Sequence, residues 1–99
     1  MYRVVLLPLA AKDIQEAAKW YSKKKNGLGN EFLFEVRKAS RFIQKHPEAI
    51  AIRYDATRTV LLDRFPFLIH FTIDTSKKVI LISAVLHTSR NPKKWRRKG

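Results

Sequence analysis

Residues 68–86 read LIHFTIDTSKKVILISAVL, and this stretch decides the fold. Two β-branched and aromatic runs flank the polar residues Asp74-Thr75-Ser76-Lys77-Lys78. Apolar runs of this length joined by a polar loop predict a β-hairpin. In the first run Ile69, Phe71 and Ile73 share one face, while Leu68, His70 and Thr72 share the other. Upstream, Thr59–Leu62 predicts a further strand. Pro66 cannot occupy a central ladder, so the chain turns near Arg64–Phe67. Ala49–Tyr54 reads as a weaker strand or loop.

The first half has a different period. Tyr2–Leu7 is a short apolar run, halted at Pro8, that predicts a strand buried on both faces or central in a sheet. From about Ala10, the residues Ile14, Ala17, Ala18 and Tyr21 mark one face of an amphipathic helix. Asp13 and Glu16 lie in its early turns and Lys23, Lys24 and Lys25 at its end, as the macrodipole favours. Asn26-Gly27 stops it with residues that tolerate positive φ. A second helix is predicted from Leu28 to His46. Phe32, Val36, Ala39 and Ile43 form its apolar stripe, and Leu33 and Phe42 widen it. Pro47 ends it, because the residue before a proline is pushed out of helical geometry. The order β-α-α-β-β-β predicts an α+β fold: an antiparallel sheet with an N-terminal helical hairpin packed on one face.

The 99 residues suit one domain, spanning 1–99. Residues 87–99 form a basic tail holding Arg90, Lys93, Lys94, Arg96, Arg97 and Lys98 and no acid. The longest apolar runs, Val4–Leu7 and Val79–Ile82, are far short of the ~20 residues that span a bilayer. No signal-peptide pattern precedes them, so a cytoplasmic protein is expected. Cysteine is absent, which removes disulfides, zinc–thiolate sites and thiol nucleophiles.

Charge dominates the composition. Lys and Arg total 21 against 8 Asp and Glu, a formal net charge of +13. Soluble domains of this size usually carry a magnitude of ~2–8. An anionic partner would relieve the self-repulsion. Phosphate-binding and dinucleotide motifs are absent. His46, His70 and His87 have no metal-ligand spacing, so neither metal nor cofactor is expected. Metal-free RNA cleavage would need an acid, a base and cations. Arg64, His87 and Arg90 are the candidates for it, with Arg53, Arg58, Glu48 and Tyr54 as further groups. Trp95, flanked by cations, suits stacking on a base, or anchoring of the tail to the core. Two layers cannot bury both flanks of both helices. Trp20, Leu28 and Phe34 are therefore candidates for contact with another chain. An acidic amphipathic segment would answer both the patch and the charge.

The helix order, Leu28-Gly29 with Phe32, His46-Pro47, Arg64-Phe65-Pro66-Phe67, and Val85-Leu86-His87-Thr88-Ser89-Arg90-Asn91-Pro92 with Trp95 resemble the RelE/ParE superfamily. These are toxins of type II toxin–antitoxin modules, often labelled plasmid stabilisation proteins, and the resemblance covers nearly the whole chain. It implies neutralisation by an acidic, partly disordered antitoxin. It leaves two targets: DNA gyrase for ParE-like members, and ribosome-bound mRNA for RelE-like endoribonucleases. A third outcome is a toxin fold that only binds its antitoxin. RNA-cleaving members carry an arginine where this chain has Leu68, and a C-terminal tyrosine where it has Lys94-Trp95. The Leu86-His87-Thr88-Ser89 corner and Arg90-Asn91-Pro92 look more ParE-like. That points to a non-enzymatic gyrase inhibitor with Arg90, Trp95, Arg96 and Arg97 against the target.

Overall fold

A computed structural model describes residues 1–95. Strand β1 (Arg3–Leu6) leads into helices α1 (Pro8–Lys24) and α2 (Leu28–Lys45). A short turn at Pro47–Ala49 is followed by β2 (Ile52–Tyr54), β3 (Thr57–Leu61), β4 (Phe67–Asp74) and β5 (Val79–His87). The sheet order is β1-β5-β4-β3-β2. The helical hairpin lies on one face, as the sequence periods predict.

Two features of β1 differ from expectation. It is an edge strand, with Arg3 and Leu6 exposed and Val4 and Val5 half-buried. It also pairs parallel with β5, Val4 opposite Ile80 and Leu6 opposite Ile82, so the sheet is mixed rather than wholly antiparallel. The reason is topological. β2 to β5 form a meander of antiparallel neighbours, and its last strand returns beside β1 running in the same direction. Helix α1 starts at Pro8 rather than Ala10. A proline at the first helical position lacks only an N–H that would have no partner there.

The hairpin turn carries Gly27 at φ 86°, in the left-handed region as Asn26-Gly27 predicts. Gly29, one turn into the pairing, is where the helices approach closely. A Cβ there would collide with Ser22 Oγ and the Ala18 carbonyl oxygen. The layer between helices and sheet is a cluster of rings. Phe32 lies 5.5 Å from Tyr21, 5.3 Å from Phe65 and 5.1 Å from Phe67 between centroids. Ile69, Phe71, Ile80, Ile82 and Val85 complete it from the sheet.

Strand β5 contains a bulge. His70 pairs with Ala84 but Phe71 with Ile82, leaving Ser83 as the extra residue. The extra residue reverses the alternation. Ile80 and Ile82 face the helices, and beyond the bulge Val85 does. Ala84 and Leu86 instead face the open side. Beyond the end of β1, the Val85 N–H of β5 donates to the Asp13 carboxylate at 2.9 Å. Helix α1 thus closes the sheet edge that β1 is too short to cover.

Two substitutions test this packing. Gly29→Ala should cost about 1–3 kcal/mol in denaturant unfolding, since a backbone carbonyl must shift to admit the methyl group. Asp13→Ala should cost a similar ~1–3 kcal/mol by stranding the Val85 N–H, and Asp13→Asn should recover much of it.

Candidate functional site

Three surfaces carry the residues singled out from the sequence. The first is the helical hairpin. Trp20 and Phe34 are 55% and 56% exposed. Lys24 sits 4.7 Å over the Trp20 ring. Leu28 is different: it is half-buried and packs against the core. Phe42, expected to widen the core stripe, is 51% exposed instead. Phe42 lies on the β3 flank of α2, beside Val60 and Leu61, at the margin of the layer between helix and sheet. On the other flank of α2 is an apolar groove of about 450 Å³, where Val4, Leu6, Leu33 and Ile82 meet Arg37 and Arg41. No local sequence signal marks this groove, because four separate elements make it.

The second surface surrounds Arg64, which sits at φ 68° in the turn before β4. Its Nη2 donates to Glu31 Oε1 at 3.0 Å, and its Nη1 lies 3.9 Å from Glu35 Oε2. Glu31, by hydrogen bond and charge, raises the Arg64 pKa. Lys38 Nζ completes the network, 2.9 Å from Glu35 and 2.8 Å from Asp63. Those hydrogen bonds, Asp63 first, raise the Lys38 pKa too. Glu35 is buried, and its cations supply what burial otherwise removes. Arg64 thus bridges the turn before β4 to α2.

The third surface is the C-terminal end of β5. His87 is exposed, with its ring edge-on to Phe67 at 5.3 Å. Its Nδ1 accepts the Ser89 N–H at 3.0 Å, so the neutral ring carries its proton on Nε2. The exposed Arg90 follows, its N–H donating to the His87 carbonyl. Asn91 Oδ1 accepts the Lys93 N–H at 3.0 Å and shapes the turn back toward the sheet. Trp95 then lands on the open face, 7% exposed. It packs on Ala84 and Leu86 with Tyr54 and Leu68 alongside. Its ring lies 5.0 Å from His70 and 5.6 Å from Tyr54. Trp95 is therefore an anchor that directs the tail. Arg96 and Arg97 lie outside the described residues.

The acid–base candidates do not converge. Glu48 accepts from the Tyr2 hydroxyl at 2.8 Å. The Tyr54 hydroxyl lies 3.0 Å from Nδ1 of the fully buried His70. His87 stands at the end of the sheet. Arg64, His87 and Arg90 share the region after β3 and β5, where Arg64 is paired with Glu31. Among the described residues, no three His, Cys, Asp or Glu side chains group as metal ligands. No helix among them is long and apolar enough to cross a membrane.

This architecture defines a class: a mixed five-stranded α+β sheet with a helical hairpin on one face and Trp95 seated on the other. Among solved structures, the chain is similar to one described as a chromosomal ParDE toxin–antitoxin system from P. aeruginosa. The two are 20% identical with a TM-score of 0.64, covering 90% of this chain and 98% of that one. The family model described as the ParE toxin of the type II toxin–antitoxin system parDE matches residues 4–92. This chain belongs to the ParE toxin family. No curated protein matches it.

If Trp95 is the latch, Trp95→Ala should lower stability by about 3 kcal/mol. Limited proteolysis should then cut the segment after His87 faster than in the parent chain.

Proposed function

We propose that this chain is the toxin of a type II module, that it blocks DNA gyrase and thereby replication, and that an acidic antitoxin segment silences it. The observation that carries this reading is the family match over residues 4–92. A solved structure described as a chromosomal ParDE toxin–antitoxin system shares the fold. Such a module stabilises the genetic element that encodes it, and its target places it in the cytoplasm.

The two partners fall on opposite faces. The antitoxin covers the hairpin, where Trp20 and Phe34 stand exposed and the groove beside α2 offers apolar walls with Arg37 and Arg41. An amphipathic acidic helix fits such a groove through its apolar face and its charge together. Leu28 supports this surface from beneath. Gyrase meets the tail, with Arg90 displayed by the turn after β5 and Arg96 and Arg97 beyond the Trp95 anchor. A nuclease role is disfavoured by the engaged Arg64, by Leu68 at the opening of the central strand and by the scattered acid–base groups.

Pulse labelling after induced expression tests the target. DNA synthesis should fall before protein synthesis; protein synthesis falling first would overturn the gyrase reading. Separation of the faces is tested by two variants. Trp20→Ala with Phe34→Ala should weaken antitoxin binding by about tenfold or more, as for anchors of an interface, and leave toxicity intact. Arg90→Glu should reduce toxicity and spare antitoxin binding.

A further inference from the structure

On the open face of the sheet, Arg53, Tyr54, Pro92, Lys93 and Trp95 line a pocket of about 330 Å³. It lies across the sheet from the helices, away from the surface proposed for the antitoxin. Its floor is aromatic and its rim is cationic, and no carboxylate lines it. The Arg53 guanidinium lies over the Trp95 ring, 5.2 Å from its centroid. Stacking uses the face of the guanidinium and leaves its in-plane N–H donors available. Among the described residues neither Arg53 nor Lys93 has a carboxylate partner, unlike Lys38 and Arg64. The Trp95 Nε1–H is buried and has no acceptor among the described residues. A donor left so is costly, by about 1–3 kcal/mol. Tyr54 lines the pocket and is half-buried.

Two cations without a carboxylate partner among the described residues, beside an aromatic wall, point to an anion carried on a planar group. We propose that this pocket binds a phosphodiester of single-stranded nucleic acid, with Arg53 and Lys93 on the phosphate and Tyr54 beside the adjoining base. Cations track the backbone while aromatic rings accept bases of any sequence. An acidic peptide would satisfy the cations and leave the aromatic wall unused. The assignment goes beyond the gyrase reading and needs no gyrase for its test, so either can fail alone.

The test uses the full chain carrying Trp20→Phe, which leaves Trp95 as the only indole. A short single-stranded DNA oligonucleotide is titrated while Trp95 fluorescence and oligonucleotide anisotropy are followed. The Trp95 signal should change in step with binding. Arg53→Glu and Lys93→Glu should each weaken binding by about tenfold and lower the salt slope by about one. Lys19→Glu, an equal charge change on the exposed side of α1, should leave the Trp95 signal and most of the affinity in place. Binding without a Trp95 response would overturn the pocket, as would an equal loss from Lys19→Glu, which would mean diffuse attraction to a basic protein. An oligoglutamate peptide that shifts Trp95 fluorescence where the oligonucleotide does not would reassign the pocket to carboxylates.

Discussion

Phe32 touches Tyr21, Phe65 and Phe67 at once, and the remaining structure depends on that contact. These rings come from α1, α2, the turn after β3 and the start of β4. The contacts with Phe65 and Phe67 are edge-to-face, and aromatic pairs of this kind add about 0.5–1.5 kcal/mol each beyond area burial. Its geometric consequence matters more. It sets α2 over the sheet, with Gly29 letting α1 close against it. Once α2 is placed, one flank lies over the core and the other looks out beside β1. The apolar groove beside β1 follows from that placement.

The opposite face depends on the single extra residue in β5. Without the bulge at Ser83, the alternation that puts Ile80 and Ile82 under the helices would send Ala84 and Leu86 there too. With it, those two residues floor the open side, and Trp95 covers them. Latching the tail places Arg53 and Lys93 around an aromatic floor. The Asn91 turn and the Trp95 anchor thus convert a basic terminal segment into a shaped surface. His70, whose side chain alternates out of the helix-facing layer, becomes the buried base of that surface.

Charge is distributed by the same logic. Asp13 caps the β5 edge, Glu31, Glu35 and Asp63 bind Arg64 and Lys38, and Glu48 takes the Tyr2 hydroxyl. Asp74 accepts from Ser76 and the Lys77 N–H in the β4–β5 turn, which holds its carboxyl below the usual range. So many of the few acids are consumed internally that cations such as Arg37, Arg41, Arg53 and Arg90 are left facing outward. The excess of +13 is therefore directional, available to an acidic partner on the helix side and to another anion on the tail side. A toxin that must be held by one partner and act on a second has use for two such faces.

Much of this was legible in residue order. The 3.6-residue period of Ile14–Tyr21 and Phe32–Ile43 specified the hairpin, Asn26-Gly27 its turn, and alternation through Leu68–Ile73 the central strand. Periods and turn chemistry are local, so they survive without tertiary context. The family motifs and the net charge were equally plain. The edge position and parallel pairing of β1 were not, because an apolar tetrapeptide suits an edge as well as a centre. Nor were the bulge, the engagement of Arg64 and the exposure of Phe42, for each depends on residues distant in sequence. Trp95 shows the division best. Its position among cations allowed either stacking or anchoring. Only the folded chain, by turning Ala84 and Leu86 outward, supplied the apolar surface on which an indole could settle.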